Sequence, residues 1–247
     1  PFYTDGIIPY PINYTITDTF LKNMINTLFF DLNETLLDTQ TLHTIFEESF
    51  DHPGAFPQWF TKMLFMSNTL GIVGEYKGFD TLAEEALDQV FMENRKLPSA
   101  PIKDRILSQF RQLPPHDDVI PALEWLKTKE LRCVVVSNST QEIMQEQLQH
   151  AGLTDYFDSI YSVDAVQRAK PFPEIYQHAA NKEGCTPEQI AMIASHDWDI
   201  LGAKQAGFRT GYIFRKQMPL NPLYPTADAV GSELLGLVQQ IITPKDA

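Results

Sequence analysis

The stretch that decides the fold reads Thr27-Leu28-Phe29-Phe30-Asp31-Leu32-Asn33-Glu34-Thr35-Leu36-Leu37-Asp38. A short β-branched and apolar run leads into an aspartate, and polar turn residues follow at once. This pattern predicts a buried parallel strand that carries Asp31 at its carboxyl end, which is where open α/β sheets bind ligands. A carboxylate in that place can act as a nucleophile that forms a covalent intermediate. Taken alone, the stretch also fits an aspartate that caps a turn or helix after the strand.

Composition and charge are those of an ordinary globular protein. The 247 residues are 43% hydrophobic and 21% charged, as in water-soluble domains, and no apolar run approaches the roughly 20 residues that cross a bilayer. The formal net charge of −13 argues against binding to nucleic acid or an anionic membrane, since phosphates would be repelled. It does not exclude a small anionic substrate. Cys133 and Cys185 lack the spacing of a metal site, which predicts a reduced, cytoplasmic protein.

The hydrophobic spacing divides the chain into an extension, a core and a cap. Residues 1–23 lack the charged start and the apolar run of a secretory signal, and we expect no chemistry from them. Helical spacing fills residues 39–112, up to a break at Pro114-Pro115. An all-helical insert after the first strand is typical of a cap over the edge of a sheet. The expected domains are therefore an N-terminal extension (1–23), a core (24–38 and 113–247) and a helical cap (39–112).

Strands and helices alternate after residue 119. Buried strands are predicted at 132–136, 159–162, 190–194 and, as the last strand, 210–214. In the cap, a helix near 81–94 is expected to have Asp80 as its N-cap. This alternation predicts an α/β fold with a Rossmann-like, three-layer, doubly wound parallel sheet and right-handed crossovers. The helical cap is inserted after the first strand.

Polar clusters follow four of the predicted strands or their loops. Besides Asp31 they are Ser137-Asn138, Lys170, and the run Ser195–Asp199. Because these loops share one edge of a doubly wound sheet, we expect the clusters to meet in one site. Each cluster also has a plainer interpretation, as turn residues, an exposed loop lysine, a satisfied loop histidine or the N-cap of the next helix.

The order of these motifs resembles the haloacid dehalogenase superfamily, and it does so from Met24 to about Ile241. The pattern is similar to that of L-2-haloacid dehalogenases at several places, namely Phe30-Asp31-Leu32, Thr35-Leu36, Ser162-Val163-Asp164, Lys170-Pro171, Tyr176 and Trp198-Asp199. The resemblance implies hydrolysis of a short (S)-2-halo carboxylic acid without metal or other cofactor. Asp31 would displace halide from carbon, and water would then cleave the resulting ester.

Two other functions compete with this interpretation. Most members of the superfamily are magnesium-dependent phosphatases, which carry an aspartate two residues after the nucleophile and a further metal-binding aspartate. Here those positions are Asn33, which has no proton to donate as an acid, and Ser195, a poor ligand for a hard cation. Loss of the same two residues would also occur in a catalytically inactive scaffold that kept only the fold.

The fourth motif of the common dehalogenase pattern has an asparagine where this chain has His196, and Glu34 replaces a residue near the nucleophile. These two departures fit each other chemically. Neutral histidine is suited to act as general base near pH 7, and a carboxylate on its other ring nitrogen would fix the tautomer. The resemblance is to a subset of dehalogenases in which a His/Glu pair activates water.

The remaining site residues are assigned by the resemblance. Thr35 and Ser137 would orient Asp31 or the substrate carboxylate, and Asn138 would donate to the departing halide. Lys170 would keep Asp31 ionised, and Asp199 would anchor Lys170 or the motif loop. In the common dehalogenase pattern an arginine of the cap follows a tryptophan, and here Phe60 replaces that arginine. Phe60 and Trp198 would therefore border the halide. Phe60 also fits an ordinary residue of the cap core. Substrate contacts are also expected from Leu32, Asn33 and Tyr176. The expected partners are the 2-halo acid and water, and homodimers are common in the family.

Overall fold

A computed structural model describes residues 24–215 and 220–243. Within these ranges the chain forms a parallel sheet of six strands in the order β3-β2-β1-β4-β5-β6. The strands are β1 Thr27–Phe30, β2 Arg132–Ser137, β3 Ser159–Ser162, β4 Ile190–Ala194, β5 Arg209–Ile213 and β6 Ala229–Gly231. The predicted α/β fold with a helical insertion after the first strand is confirmed.

The described part of the chain has nine α-helices. Four form the helical insert after β1, namely α1 Gln40–Phe50, α2 Ala55–Ile72, α3 Phe79–Glu93 and α4 Ala100–Phe110. The other five follow the insert and are α5 Val119–Lys127, α6 Gln141–His150, α7 Pro173–Glu183, α8 Asp197–Gln205 and α9 Leu234–Ile242. In the described ranges, no helix is long and apolar enough to cross a membrane.

Alternate side chains of the central strand β1 face two hydrophobic layers. Leu28 and Phe30 pack in the layer of α5, α6 and α9, whereas Phe29 packs in the layer of α7 and α8. The strand pairs with β2 on one side and with β4 on the other. The strand order changes direction here, and such sheets bind ligands in the crevice beyond the strand ends at this point. Asp31 follows β1 and His196 follows β4, so both lie at this crevice.

The cap helices are held together by aromatic packing. The rings of Phe46, Phe56 and Trp59 lie with centroids between 5.2 and 6.0 Å apart. The Trp59 Nε1–H donates to the carbonyl of Ala83 on α3 at 2.9 Å, which satisfies a polar group that is fully buried. Trp59 is therefore a core residue of the cap. Its neighbour Phe60 projects instead toward the sheet edge, where it contacts His196.

Two secondary-structure predictions are wrong. Helix α3 begins at Phe79 with Gly78 as its N-cap, so Asp80 is not the cap residue. Asp80 lies in the first turn, where its carboxylate accepts the backbone N–H of Thr81 at 2.8 Å. The sheet also continues beyond β5, because β6 pairs with it in parallel. A strand of three residues is too short to show a hydrophobic alternation. The predicted extension of residues 1–23 lies outside the described residues.

Candidate active site

Three buried charged side chains meet beyond the ends of β1 and β4. Lys170 Nζ donates to Asp31 Oδ1 at 3.0 Å and to Asp199 Oδ2 at 2.8 Å. The side chains of Lys170 and Asp199 are fully buried, and that of Asp31 is 7% exposed. Burial of a lysine is tolerated when it is paired, and two carboxylates provide the pairing here. The structure therefore brings together three residues that the sequence places in separate motifs.

The Asp31 carboxylate is held in its ionised form. Burial alone would raise its pKa, but the Lys170 ammonium and the His196 imidazole hold that pKa well below the usual range of an aspartate. Thr35 Oγ1 also donates to Asp31 Oδ2, at 2.7 Å. Burial would likewise lower the pKa of Lys170, yet Asp199 and Asp31 raise it above its ordinary value. An ionised carboxylate of fixed orientation is the form that a nucleophile requires.

Asp199 is anchored from behind by Tyr176. The Tyr176 hydroxyl donates to Asp199 Oδ1, while Lys170 occupies Oδ2. Tyr176 is fully buried in the hydrophobic layer of α7 and α8, and it does not line the cavities described below. The structure therefore places the Tyr176 hydroxyl on Asp199 and not in the lining of these cavities, where the sequence predicted a substrate contact.

His196 connects Asp31 to Glu34. Its Nδ1 lies 3.3 Å from Asp31 Oδ2, and its Nε2 lies 2.9 Å from Glu34 Oε2. Glu34 has φ 62°, in the left-handed region that disfavours residues with a β-carbon, and its side chain is almost completely buried. Thr39 Oγ1 donates to the other oxygen of Glu34 at 3.3 Å. The two residues that the sequence predicts as a pair are thus in contact.

The charge of His196 differs from the neutral imidazole predicted from the sequence. Burial alone would lower its pKa, but hydrogen bonds and charges from Asp31 and Glu34 raise the pKa to about 9. Both ring nitrogens face carboxylate oxygens, and only the imidazolium can donate to both. The ring also lies between Phe60 and Trp198, with centroids 5.7 and 4.9 Å away and interplanar angles of 20° and 22°. Aromatic faces of this kind favour a cation.

Asn138 presents a buried donor at the site. Its Oδ1 accepts the backbone N–H of Lys170 at 2.8 Å, which fixes the orientation of the amide. Its Nδ2 is buried and has no hydrogen-bond partner among the described residues. Buried donors without a partner are rare in folded proteins, so this group indicates a ligand that accepts a hydrogen bond. Ser137 lies beside it and accepts the backbone N–H of Ser139 at 3.2 Å.

Asn33 and Leu32 have structural roles in the loop after β1. Asn33 Nδ2 donates to Ser139 Oγ at 2.9 Å, and Asn33 Oδ1 accepts from Gln147 Nε2 at 2.8 Å. Both ends of the Asn33 amide are therefore used, although the residue borders the site. Leu32 is fully buried in the core, and its carbonyl accepts the N–H groups of Leu36 and Leu37. Hydrophobic packing turns the Leu32 side chain into the core, so this side chain does not line the cavities where the sequence predicted a substrate contact of Leu32.

Two adjoining cavities meet at His196. The inner cavity, of about 10 Å³, is lined by Asp31, Asn33, Phe79, Ser137 and Asn138. The outer cavity, of about 310 Å³, is lined by Glu34, Ser195, Asp197, Tyr212 and Arg215 among others. Both cavities share a wall that consists of Phe60, Leu64, His196 and Trp198. The inner cavity has room for about one water molecule, so Asp31 faces a small space.

Arg215 is a site residue that the sequence reasoning missed. It follows β5 directly, as the other polar clusters follow their strands, and this position was the available signal. Its Nε donates to the carbonyl of Thr35 at 3.0 Å, and its Nη1 donates to Asp118 Oδ1 at 2.8 Å. Its side chain is 9% exposed. Arg215 therefore ties the loop that carries Glu34 and Thr35 to the start of α5.

The fold and the nucleophile site define a hydrolase, and the chain belongs to the haloacid dehalogenase-like hydrolases, a family that matches residues 25–207. It is 30% identical over 199 residues to (S)-2-haloacid dehalogenase 1 of Pseudomonas sp. (strain CBS-3), covering 79% of this chain and 87% of that protein. The fold is also similar to a structure of L-2-haloacid dehalogenase from Xanthobacter autotrophicus with chloropropionic acid covalently bound. That comparison gives a TM-score of 0.80 at 26% sequence identity and covers 87% of this chain and 98% of the other chain. Pyrophosphatase PpaX of Halalkalibacterium halodurans is 28% identical over 196 residues, 77% of this chain and 86% of that protein. The resemblance predicted from the sequence is confirmed.

The residues around Asp31 do not fit the magnesium ion that phosphatases of this superfamily use. Ser195 stands where a carboxylate ligand is needed, and its backbone N–H and hydroxyl are hydrogen-bonded to Thr35 Oγ1 at 2.9 and 3.1 Å. The His196 ring already occupies a position 3.3 Å from Asp31 Oδ2, and in its cationic form it would repel a metal ion. Among residues 24–215 and 220–243, no group of three or more His, Cys, Asp or Glu side chains is arranged to hold a metal.

Proposed function

We propose that this hydrolase is an (S)-2-haloacid dehalogenase that converts short 2-halo carboxylic acids to 2-hydroxy acids without a metal ion. The observation that carries the proposal is the contact of one imidazole with both the nucleophile and Glu34. Such a pair can activate the water that hydrolyses an aspartyl ester, whereas a phosphatase would need carboxylates at positions 33 and 195. Similarity to (S)-2-haloacid dehalogenase 1 supports the same chemistry.

In the first step the Asp31 carboxylate attacks the halogen-bearing carbon from the side opposite the halogen. The carbon–halogen bond breaks, halide leaves, and the configuration at carbon inverts. Lys170 supports this step by keeping Asp31 ionised through the 3.0 Å contact. Thr35 restrains the same carboxylate by its hydrogen bond to Oδ2. Asp199 and Tyr176 act through Lys170, whose position they fix.

The departing halide needs stabilisation that does not come from a cap arginine, because Phe60 occupies that position in the sequence. Asn138 Nδ2 is the buried donor that remains for this purpose. Hydrogen bonds to charged groups are worth about 1.5–3 kcal/mol, so one well-placed amide lowers the barrier appreciably. Phe60 and Trp198 border the same cavity, and the positive rims of aromatic rings attract an anion weakly.

In the second step water attacks the carbonyl carbon of the Asp31 ester. His196 Nδ1 is directed toward Asp31 and takes the proton of that water as general base. Glu34, on Nε2, fixes the ring orientation and stabilises the imidazolium that forms. Cleavage of the acyl–oxygen bond releases the 2-hydroxy acid and regenerates the Asp31 carboxylate.

A magnesium-dependent phosphatase is the second candidate, because the similarity to a pyrophosphatase favours it. A halide-release screen separates the two functions. We expect wild-type protein to release halide from bromoacetate, chloroacetate or (S)-2-chloropropionate equally well with EDTA and with magnesium. Phosphate release from p-nitrophenyl phosphate that requires magnesium, with no halide release from any of these acids, would refute the proposal.

The covalent intermediate provides a second test. In His196→Asn, Asp31 should still be alkylated, but the ester should persist, so that mass spectrometry finds the added acid on the peptide that contains Asp31. Asp31→Asn is the matched control, because it removes the attacking carboxylate and should show no adduct. Normal turnover by His196→Asn would show that imidazole does not activate the water.

A further inference from the structure

His196 lies between the two cavities, with one ring nitrogen directed to each. Nδ1 faces Asp31, which lines the inner cavity, and Nε2 faces Glu34, which lines the outer cavity. The stacked rings of Phe60 and Trp198 cover the two faces of the imidazole. The imidazolium therefore donates one proton from Nδ1 to Asp31 and another from Nε2 to Glu34.

We propose that His196 is an imidazolium in the resting enzyme and that, once Asp31 has become an ester, the ring gives up its Nδ1 proton while Nε2–H stays hydrogen-bonded to Glu34. This inference rests on the proposed dehalogenase function and adds the timing of the proton transfer.

The contacts favour the imidazolium only while Asp31 is charged. In the resting site both ring nitrogens have carboxylate partners, at 3.3 and 2.9 Å, and these outweigh the burial that would otherwise lower the pKa of the ring. Alkylation converts Asp31 to a neutral ester, whose oxygens are weaker acceptors. One of the two charges that hold the proton is thereby lost at the moment when a base is needed.

The proton balance closes over the two steps. In the first step the halo acid and the Asp31 carboxylate give the ester and halide, and the His196 proton is released to solvent. In the second step water adds to the ester, His196 takes one proton from that water, and the 2-hydroxy acid and the Asp31 carboxylate are formed. The sum is halo acid plus water giving hydroxy acid, halide and one proton. The resting imidazolium is restored.

Other charges around the ring arise from several elements and do not change during this cycle. They belong to the loop before α7, to α8 and to the end of β5, and are Lys170, Asp197, Asp199 and Arg215. Lys170 is paired with Asp31 and Asp199, and Arg215 is paired with Asp118. The carboxylate whose charge disappears on alkylation is that of Asp31.

Histidine titrations followed by NMR test this inference without substrate. The chain has six histidines, and the His196 signal is assigned by its loss in His196→Asn. We expect the wild-type imidazole to titrate near pH 9, and the midpoint to fall by about 1–3 pH units in Asp31→Asn and in Asp31→Ser, which remove the same charge as alkylation. Asp197→Asn is the matched control, because Asp197 lines the outer cavity without a contact to the ring, and we expect a much smaller displacement.

A wild-type ring that titrates below neutral pH would overturn the inference, as would Asp31 variants whose midpoint equals that of the wild type. Circular dichroism of each variant confirms that the fold is kept, and two substitutions at position 31 guard against an effect of one side chain. Halide release is measured on the same wild-type sample. Failure of the dehalogenase proposal and failure of the titration are therefore separate results.

Discussion

Replacing Lys170 with methionine leaves two buried carboxylates without the cation that they share. Asp31 and Asp199 lie 3.0 and 2.8 Å from Lys170 Nζ, and both would then face burial with only hydrogen bonds from Thr35, His196 or Tyr176. The substitution keeps an unbranched side chain of similar length, so the loss is mainly electrostatic. It therefore measures how strongly the folded state depends on this cluster.

The expected loss of stability is large. Removing one partner of a buried ion pair costs about 3–5 kcal/mol, and Lys170 is fully buried, so Lys170→Met should reach this range near neutral pH. Lys204→Met is the matched control, since Lys204 pairs with Asp228 where the two side chains are 23% and 19% exposed. A pair of that exposure is worth about 1 kcal/mol or less.

The pH dependence of the loss separates electrostatics from packing. In the wild type the pKa of Asp31 lies well below its ordinary value of 3.8, so its stabilisation is present above that value and is lost in stronger acid. Burial already raises the pKa of Asp199 in the wild type. Without Lys170 we expect burial to raise it further and to raise that of Asp31, so that protonation stabilises the folded variant as the pH falls. The difference in unfolding free energy between wild type and Lys170→Met should shrink from about pH 7.5 to about pH 5.

Urea unfolding followed by tryptophan fluorescence measures these differences. A domain of ordinary stability, about 5–15 kcal/mol, retains a measurable folded state after the substitution. Two results would refute the reasoning. One is a loss in Lys170→Met no larger than that in Lys204→Met, and the other is a loss that is the same at both pH values.

Three further predictions concern packing, halide binding and pH. A β-carbon at Gly202 would lie 2.8 Å from the Pro171 carbonyl oxygen and 2.6 Å from the Tyr176 hydroxyl, so Gly202→Ala should lower stability in thermal melts by about 1–3 kcal/mol. Gly236→Ala, whose β-carbon would meet open space in α9, should instead be neutral or stabilising by up to about 1 kcal/mol, and equal effects of the two would contradict the contact argument. Asn138→Ala should lower kcat/KM for halide release about 10- to 100-fold, and unchanged kinetics would remove Asn138 from the site. Because the pKa of His196 is raised from 6.5 to about 9, its ion pairs stabilise the fold fully below pH 6.5 and lose this effect as the pH rises through 9. The difference in unfolding free energy between wild type and His196→Asn, measured in urea titrations, should therefore fall over that range. A difference that stays constant with pH would show that the ring is neutral.

Local sequence signals predicted most of the fold. The strands β1, β2 and β4 are continuous apolar runs because both faces of the sheet are covered, and such runs end in polar residues where the chain turns. The insert was recognisable since its apolar residues follow helical spacing up to Pro114-Pro115. Strand β6 and the start of α3 were not predicted, because short elements and helix starts depend on neighbours from elsewhere in the chain.

The sequence by itself determined the chemistry available at the sheet edge. Asp31, Lys170 and Asp199 follow predicted strands or their loops, and parallel strands deliver their carboxyl ends to one edge. The same rule brought His196 near the nucleophile and made Glu34 a plausible partner. The residue types at positions 33 and 195 also predict a site that differs from that of a magnesium-dependent phosphatase.

Only the tertiary structure decided what each side chain does there. Tyr176 supports Asp199 from the hydrophobic layer instead of touching the cavity, and Asn33 is used by Ser139 and by Gln147, which lies 114 positions away in the chain. The charge of His196 depends on two carboxylates and on burial together, and neither quantity is local in sequence. The sequence pattern could not predict these roles, because it specifies only where strands end. Contact partners, desolvation and proton positions follow from how distant segments of the chain pack together.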